Sequence, residues 1–532
     1  MSGMGIYGLS GSGIDVDSMV RMGMLTKQNE YDKMYKKEVR NEWEKEAYAD
    51  MYSELNKFNS VTMSSYKMSS TSNPQTVSTT NSAVATATAN ADAAQMTHTL
   101  TVNSMASNAY LLTGAEGIKR ENTSASKSIY LADVLGADAI SPGESITMEV
   151  SDGEKTAKLQ LSYEQIYGNN QTLNDLASAF KKLKNDDGES LSLSSSYDAT
   201  NDAFTLYNKN SGSANKISIK PLDDKAALLM DNLNLHAVDG GTMKKDEETF
   251  AVNTATEVAG KDASVTIDGR EYTNLTSNKV TVSNVTYSFQ SVGTSTMTVS
   301  QDTDKIIENV KKFVEDYNKM LDALNEKYYE EKYKDYDVLT QSQEKGMTKE
   351  QIDKWNEKAK SGLLNHNQTI GKLISQMREA IYTPVESVDS NYNTMMSIGV
   401  TSSTDRGHLT LDEDKLKKAL AADPDCVYQL LTSSGEKVDK QGKSYTDYGS
   451  EGVAQRIGDK VVDVLKEMKD YAGTSTEDDG STLGNLIRDM KTKMSNFKIM
   501  MSSYESLLYK KYDAMETAIQ RLSMQSGFIT GQ

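Results

Sequence analysis

The chain has a single cysteine, Cys426, among 532 residues. That excludes an internal disulfide framework and any metal site built on thiolates. Histidine is almost as scarce: His98, His236, His366 and His408 lie far apart in the sequence and read as ordinary surface or boundary residues. No run of ~18 apolar residues occurs, so no helix is expected to span a membrane. The opening stretch lacks a basic region followed by an apolar one, so a secretory signal peptide is not expected. Cationic charge is also short, with 58 Lys and Arg against 76 Asp and Glu and a net charge of -18. Nucleic acid is therefore not an expected partner, because phosphate contacts need clustered cations. Composition alone points to a cytoplasmic protein, long enough for about two to four domains with sizeable cores.

What is present falls into alternating textures. Residues 1–13 are rich in Gly and Ser, and about 15 to 68 are charged with a helical pattern. A Ser/Thr/Asn/Ala stretch fills 69–96, the pattern is β from 97 to 300, and it returns to helix from 302 to 525. In the β region His98, Leu100 and Val102 share one face of a strand. Ile146, Met148 and Val150 run into Asp152-Gly153, with Leu159 and Leu161 returning. Val265 and Ile267 lead into Asp268-Gly269, followed by Val280/Val282, Val285/Tyr287/Phe289 and Met297/Val299. Asp-Gly favours a two-residue hairpin turn because Gly accepts positive φ without steric cost. Period-two alternation with such turns predicts antiparallel, sandwich-like units, with one helical insert from Leu173 to about Leu183.

The helical part carries the strongest periodicity. Stepping by seven from Ile487 reaches Met494, Met501, Leu508, Met515 and Leu522. A companion seam of Leu483, Met490, Phe497 and Tyr504 then decays to Lys511, Ala518 and Gln525. Two seams alternating by three and four residues describe a coiled-coil face. Another seam runs Ile306, Val310, Phe313, Tyr317, Met320, Leu324, with Asp302 to Asp304 placed to cap its start. Ile370, Leu373, Ile374, Met377 and Ile381 mark a helix that stops before Pro384. Near the front, Asp15 or Asp17 caps a helix begun by Val16, Met19 and Val20. Tyr48, Met51, Leu55 and Phe58 give it a complete seam, whereas Lys27–Glu46 is far more charged and the seam there is weak. A chain that leaves along a helix, builds β domains and returns along a helix brings its ends together as an antiparallel pair.

Candidate chemistry does not survive inspection. Gly3-Met4-Gly5-Ile6-Tyr7-Gly8 spells G-x-G-x-x-G but follows no strand, so a dinucleotide turn is not expected. Ser10 and Ser12 lack the strand context of a nucleophile elbow and a neighbouring histidine. Asp302/Asp304 and Glu477-Asp478-Asp479-Gly480 lack the alternating oxygens of a calcium loop; they read as a helix cap and a solvated loop. Catalytic, cofactor-binding and metal residues are all expected to be absent. The methionine stripe at 490, 494, 501 and 515 fits an adaptable partner groove or simple core packing equally well. Burial along the seams does not by itself cover the entropy of ordering such long helices. Neighbouring subunits are therefore expected to order the ends, with Val16, Met19, Val20, Tyr48, Met51, Leu55 and Phe58 on one side. Ile487, Met490, Met494, Phe497, Met501, Tyr504, Leu508, Met515 and Leu522 are the expected assembly residues on the other.

These features resemble the flagellar filament cap family, also called flagellar hook-associated protein 2. At the front, Gly8-Leu9 and Ser12-Gly13-Ile14-Asp15-Val16-Asp17-Ser18-Met19-Val20 are similar to the family's G-L-x-S-G-h-D-h-D start, with one extra residue between Leu9 and Ser12. Trp43 and Tyr48 fall where the family tends to have W and Y, while a proline common early in that helix is absent. Asp262–Gly269 and Ser277–Val280 resemble the inner β repeat. Val299–Asp304 leading to Phe313–Asn318 resembles the strand-to-helix junction. Met347–Ile352, Trp355 and Glu357–Leu364 are the most specific match, and Gly399-Val400, Leu409, Asp412-Glu413 and Leu416–Val427 complete it.

The resemblance implies an α+β multidomain chain with helical coiled-coil legs from both termini and antiparallel β-rich head domains in the middle. Its expected division is a mobile N-terminal assembly helix 1–45, a helical leg 46–96 and 301–490, and a mobile C-terminal assembly helix 491–532. A head domain 97–110 and 241–300 would carry an outer β-rich head domain 111–240. The resemblance further implies a non-enzymatic, ring-like homo-oligomer at the flagellum tip, exported through the flagellar type III apparatus without a cleaved signal peptide. The implied partners are flagellin, a hook-filament junction protein and an export chaperone. A surface adhesin, with 111–240 as its binding region, and another axial flagellar protein are the alternative readings.

Overall fold

The computed structural model describes residues 15–530 except 240–241, 244–255, 389–390, 405 and 478. The glycine word at 3–8, Ser10, Ser12 and Asp478 lie outside the described residues. The chain divides into two compact units, one of Met1–Asn73 with Thr303–Gln532 and one of Pro74–Asp302.

In the helical unit the first helix spans Val16–Lys57, and Asp15 is its cap: the Asp15 carboxylate accepts from the Ser18 amide at 3.0 Å. The helix is unbroken at the expected 45/46 boundary and passes into a π-helical stretch, Phe58–Met63. The chain returns at Thr303–Tyr329, where Ile306, Val310, Phe313, Tyr317, Met320 and Leu324 are all buried. Gln368–Tyr382 stops before Pro384, since proline pushes the residue before it out of the helical region. Val453–Ala472 and the last helix, Thr482–Thr530, follow, and the last helix is likewise continuous across 490/491. These helices share one core with Tyr48, Met51, Leu55 and Phe58 of the first.

Two small hairpins interrupt the helical pattern, Val400–Ser402 with Leu409–Leu411 and Ser434–Val438 with Ser444–Glu451. The second is tied down by Arg456, which is fully buried. Its guanidinium donates to the carbonyls of Thr383 (2.6 Å), Pro384 (2.8 Å), Gly449 (2.8 Å) and Tyr448 (2.9 Å). It also lies over the Tyr448 ring at 5.2 Å. One side chain thus satisfies the end of helix Gln368–Tyr382 and the base of the hairpin together.

The β unit holds two cores. In the first, a sheet ordered Gln75–Thr79, Gly293–Gln301, Thr97–Ser104, Ala263–Ile267, Arg270–Leu275 shares its core with a three-stranded sheet of Lys279–Val282, Val285–Phe289 and Ala85–Ala89. Leu100, Val102, Val265, Ile267, Met297 and Val299 meet Val285, Tyr287 and Phe289 there. The second core is enclosed by two further antiparallel sheets. One orders Thr256–Ala259, Lys216–Pro221, Ser145–Ser151, Thr156–Ser162; the other is built on Asn108–Thr113 and Ala203–Ser211. Helix Leu173–Lys181, capped by Thr172, packs into it through Leu173, Leu176 and Phe180.

Several expectations need correction. Strands Gln75–Thr79 and Ala85–Ala89 lie in 46–96, read as helical leg, so the leg ends at Asn73. Thr256–Ala259 pairs with Lys216–Pro221, which places it in the second core's sheet and not in the expected 241–300 head piece. Asp152-Gly153 is not a two-residue turn. Ser151 pairs with Thr156, and the buried Asp152 carboxylate takes the amides of Lys155 (2.7 Å) and Ser192 (2.7 Å), which stretches the loop. Asp268-Gly269 is the expected turn, with φ of 51° and 83°. His98 is no boundary residue: it is buried, and its Nδ1 lies 2.6 Å from the Asp268 carboxylate.

Replacing Arg456 with Met should leave four partly buried carbonyls without their donor, at a cost on the order of 3 kcal/mol. Urea unfolding followed by helical circular dichroism should show the loss; unchanged stability would mean that the carbonyls find other donors.

Candidate assembly site: the pair of terminal helices

The first and last helices lie antiparallel. Asp17 accepts from the Tyr509 hydroxyl at 3.1 Å, and the Lys27 ammonium sits 5.8 Å from the Phe497 ring centre. Further along, Lys491 pairs with Glu38 (3.5 Å) and Glu42 (2.6 Å), and Lys45 with Asp479 (3.0 Å). The close approach near the front depends on Gly23, where an added Cβ would fall 2.8 Å from Leu508 Cδ1.

The structure treats the expected assembly residues unequally. Val20, Tyr48, Met51, Leu55, Phe58, Ile487, Met490, Met494 and Leu508 are buried. Val16, Met19, Phe497, Met501, Tyr504 and Met515 are half-buried, and Leu522 is 63% exposed. The companion seam does not decay after Tyr504 but shifts by one residue: Tyr512 and Ile519 are half-buried, while Lys511 and Ala518 are exposed.

The middle of the pair was misjudged from the sequence. Glu38, Asn41 and Lys45 are buried polar residues spaced by three and four, so they occupy seam positions of the stretch read as merely charged. Asp479, read as part of a solvated loop, is the partner of Lys45. Burial works to raise its carboxyl, but hydrogen bonds from the Ser481 hydroxyl and amide, with the Lys45 ammonium, hold it below the ordinary range. Glu38 goes the other way: burial first, then the neighbouring Glu42, push its carboxyl to about 7, against the pull of Lys491. A cavity of about 370 Å³ beside this inlay is lined by Trp43, Glu42, Glu46, Ile487, Arg488 and Lys491.

A further apolar series escaped the seam analysis. Leu486, Met500 and Leu507 are 41%, 41% and 60% exposed and fall on a seven-residue repeat interrupted only at Lys493. The signal was available as a parallel repeat, one residue before the counted seam. Among the described residues, no group of three or more His, Cys, Asp and Glu is arranged to hold a metal ion, and no helix is long and apolar enough to cross a membrane.

The segment 347–364 is well anchored in the same unit. Thr348 and Gln351 form a capping box for helix Lys349–Lys360, and the Trp355 indole N–H donates to the Asp337 carbonyl at 2.7 Å. Lys360 reaches the first helix, pairing with Glu46 at 2.7 Å and lying 5.5 Å from the Trp43 ring centre.

Fold and site together define a mixed α+β multidomain protein with helical coiled-coil legs and β-rich heads. Residues 12–109 match the sequence family described as flagellar hook-associated protein 2 N-terminus, and residues 260–524 match flagellar hook-associated protein 2 C-terminus. A flagellar hook-associated protein 2 of Halalkalibacterium halodurans is 26% identical over 550 residues, covering 98% of this chain and 99% of the relative. The Thermotoga maritima protein of that name is 25% identical over 284 residues, covering 50% of this chain and 40% of the relative. Among solved structures, the D1–D2–D3 domains of the flagellar cap protein FliD from Escherichia coli align with 19% identity and a TM-score of 0.46, covering 78% of this chain and 95% of that one. With the two family matches together taking in well over half of its length, the chain belongs to the flagellar hook-associated protein 2 family, the filament caps of the bacterial flagellum.

The raised Glu38 carboxyl sets a direction for pH dependence. Its native value of about 7 lies above the ordinary 4.5, so the folded pair holds a proton that the unfolded chain releases. The stability this adds is fully present below the ordinary value and is lost as pH rises through about 7. Amide exchange along 27–46 and 484–505 should therefore speed up between about pH 5 and pH 8 beyond the intrinsic chemical rate, and Glu38→Gln should flatten that excess. An equal excess in the variant would remove Glu38 as the cause.

Proposed function

We propose that copies of this chain form a ring-like plate at the filament tip, beneath which exported flagellin folds and inserts. The observation that carries this reading is the pair of terminal helices. It is clasped by a core at one end, weakened by a polar inlay at Glu38, Asn41 and Lys45, and flanked by the exposed series Leu486, Met500, Leu507. Such a pair offers apolar area to neighbouring subunits while its own closure stays easy to exchange. Val16, Met19, Phe497, Met501, Tyr504, Met515 and Leu522 serve as assembly contacts, and flagellin and the hook-filament junction protein meet the chain through them. The buried members of the set hold the clasp closed.

In this reading the work is steric confinement with exchangeable contacts, and no covalent step is involved. The protein acts outside the cell, reaching the tip through the flagellar type III apparatus with an export chaperone and without a cleaved signal peptide.

Deleting the protein in its host should release unpolymerised flagellin into the medium; normal filaments would overturn the cap reading. For the helix pair, hydrogen exchange on the isolated monomer should be much faster in 16–45 and 505–530 than in Tyr48–Phe58. Equal protection would show that the ends need no neighbours to be ordered.

A further inference from the structure

The outward face of the five-stranded sheet is almost free of charge. Its centre is a double row from strands Thr97–Ser104 and Gly293–Gln301, in which Thr97 faces Thr298, Thr99 faces Thr296 and Thr101 faces Thr294. The acidic residues at its border are Glu271, on the edge strand Arg270–Leu275, and Asp268, whose carboxylate accepts from the Thr99 amide at 2.8 Å and lies 2.6 Å from His98 Nδ1. The other sheet surface in this unit shows that neutrality is not the default: Glu149 lies between Lys158 and Lys220, and Lys216 pairs with Glu257 at 2.6 Å.

Three physical properties set the neutral face apart. Several of its polar groups already satisfy one another: Thr97 and Thr298 hydroxyls lie 3.1 Å apart, Thr101 and Thr294 3.0 Å apart, and the Asn103 amide donates to Thr266 at 3.1 Å. Covering them with another surface therefore strands few donors or acceptors. Threonine is stiff at χ1, so little side-chain entropy is lost on contact, unlike at a surface of Lys and Glu. Finally, copies of a chain with net charge -18 repel one another, and they approach at least cost where charge is absent.

We infer that this threonine face is a contact surface for a second copy of the chain. The inference rests on the cap reading and names one of the two different surfaces that each copy must offer in a ring. The face excludes charge and keeps its own hydrogen bonds, which gives a contact that is specific in shape and easily remade.

Sedimentation velocity of the full chain over a concentration series tests it. Thr99→Lys with Thr296→Lys should weaken self-association by about tenfold or more, because two adjacent ammonium groups buried in an interface without partners oppose docking. A control, Thr147→Lys with Gln160→Lys on the charged sheet, adds the same charge at paired positions and should associate at least as well as the parent. Thr99→Lys alone guards against loss of folding in the double variant, with thermal melting as the check, and Thr99→Ser with Thr296→Ser should retain association. Unchanged association in a folded lysine variant, equal loss in the control, or a parent chain that never self-associates would overturn the inference. If filaments depend on the protein while the lysine variant still assembles, the face is wrong and the cap reading stands. If deletion leaves filaments normal, the cap reading itself falls.

Discussion

The helical unit depends on meeting in register: residues near 40 must find residues near 490, with the whole β unit between them. An apolar heptad seam alone does not secure this, because a slip of one heptad buries the same kinds of side chain. The pairs Glu38–Lys491 and Lys45–Asp479, each with one member buried, break that degeneracy, since a slipped register would leave Glu38 and Lys45 buried without their partners. Specificity here costs stability, and the cost falls in the middle of the pair. The core at Tyr48–Phe58 is left to hold the clasp, as Arg456 holds the hairpin and helix end of the same unit.

The methionine stripe, equally compatible with packing and with a partner groove, divides along its length. Met490 and Met494 are buried, whereas Met501 and Met515 are half-buried on the part of the last helix that approaches and passes the start of the first. A flexible thioether suits both settings, filling gaps in the one and adapting to a changing neighbour in the other. One periodic signal in the sequence thus covers two physical roles, separated only by what lies opposite.

Periodicity made much of the fold legible. His98, Leu100 and Val102, the seams at 306–324 and 370–381, and the stop before Pro384 all follow from which positions face apolar neighbours. The misses share a cause. Gln75–Thr79 and Ala85–Ala89 are built mostly from Thr, Ser and Ala and, apart from Ala85, are at most partly buried, so their alternation carries little hydrophobic contrast. Glu38, Asn41, Lys45 and Arg456 are polar residues in buried places, which a count of apolar positions passes over. Asp479 becomes a partner only through a contact distant in sequence. For the site, the seams were visible but their unequal burial was not, and the family motifs carried the function that periodicity alone left open.

The β unit is closed at its own root, because Gln75 pairs with Gln301 and Val77 with Val299. In folding, the long insertion then costs the helical unit little more entropy than a tight turn, a saving of about 3–4 kcal/mol in loop closure. The heads act as a preformed bridge that delivers the returning strand beside the outgoing one. Enlargement or replacement of the outer β sheets is therefore tolerable to the legs as long as that first strand pair forms, and the head can diversify while the clasp stays the same.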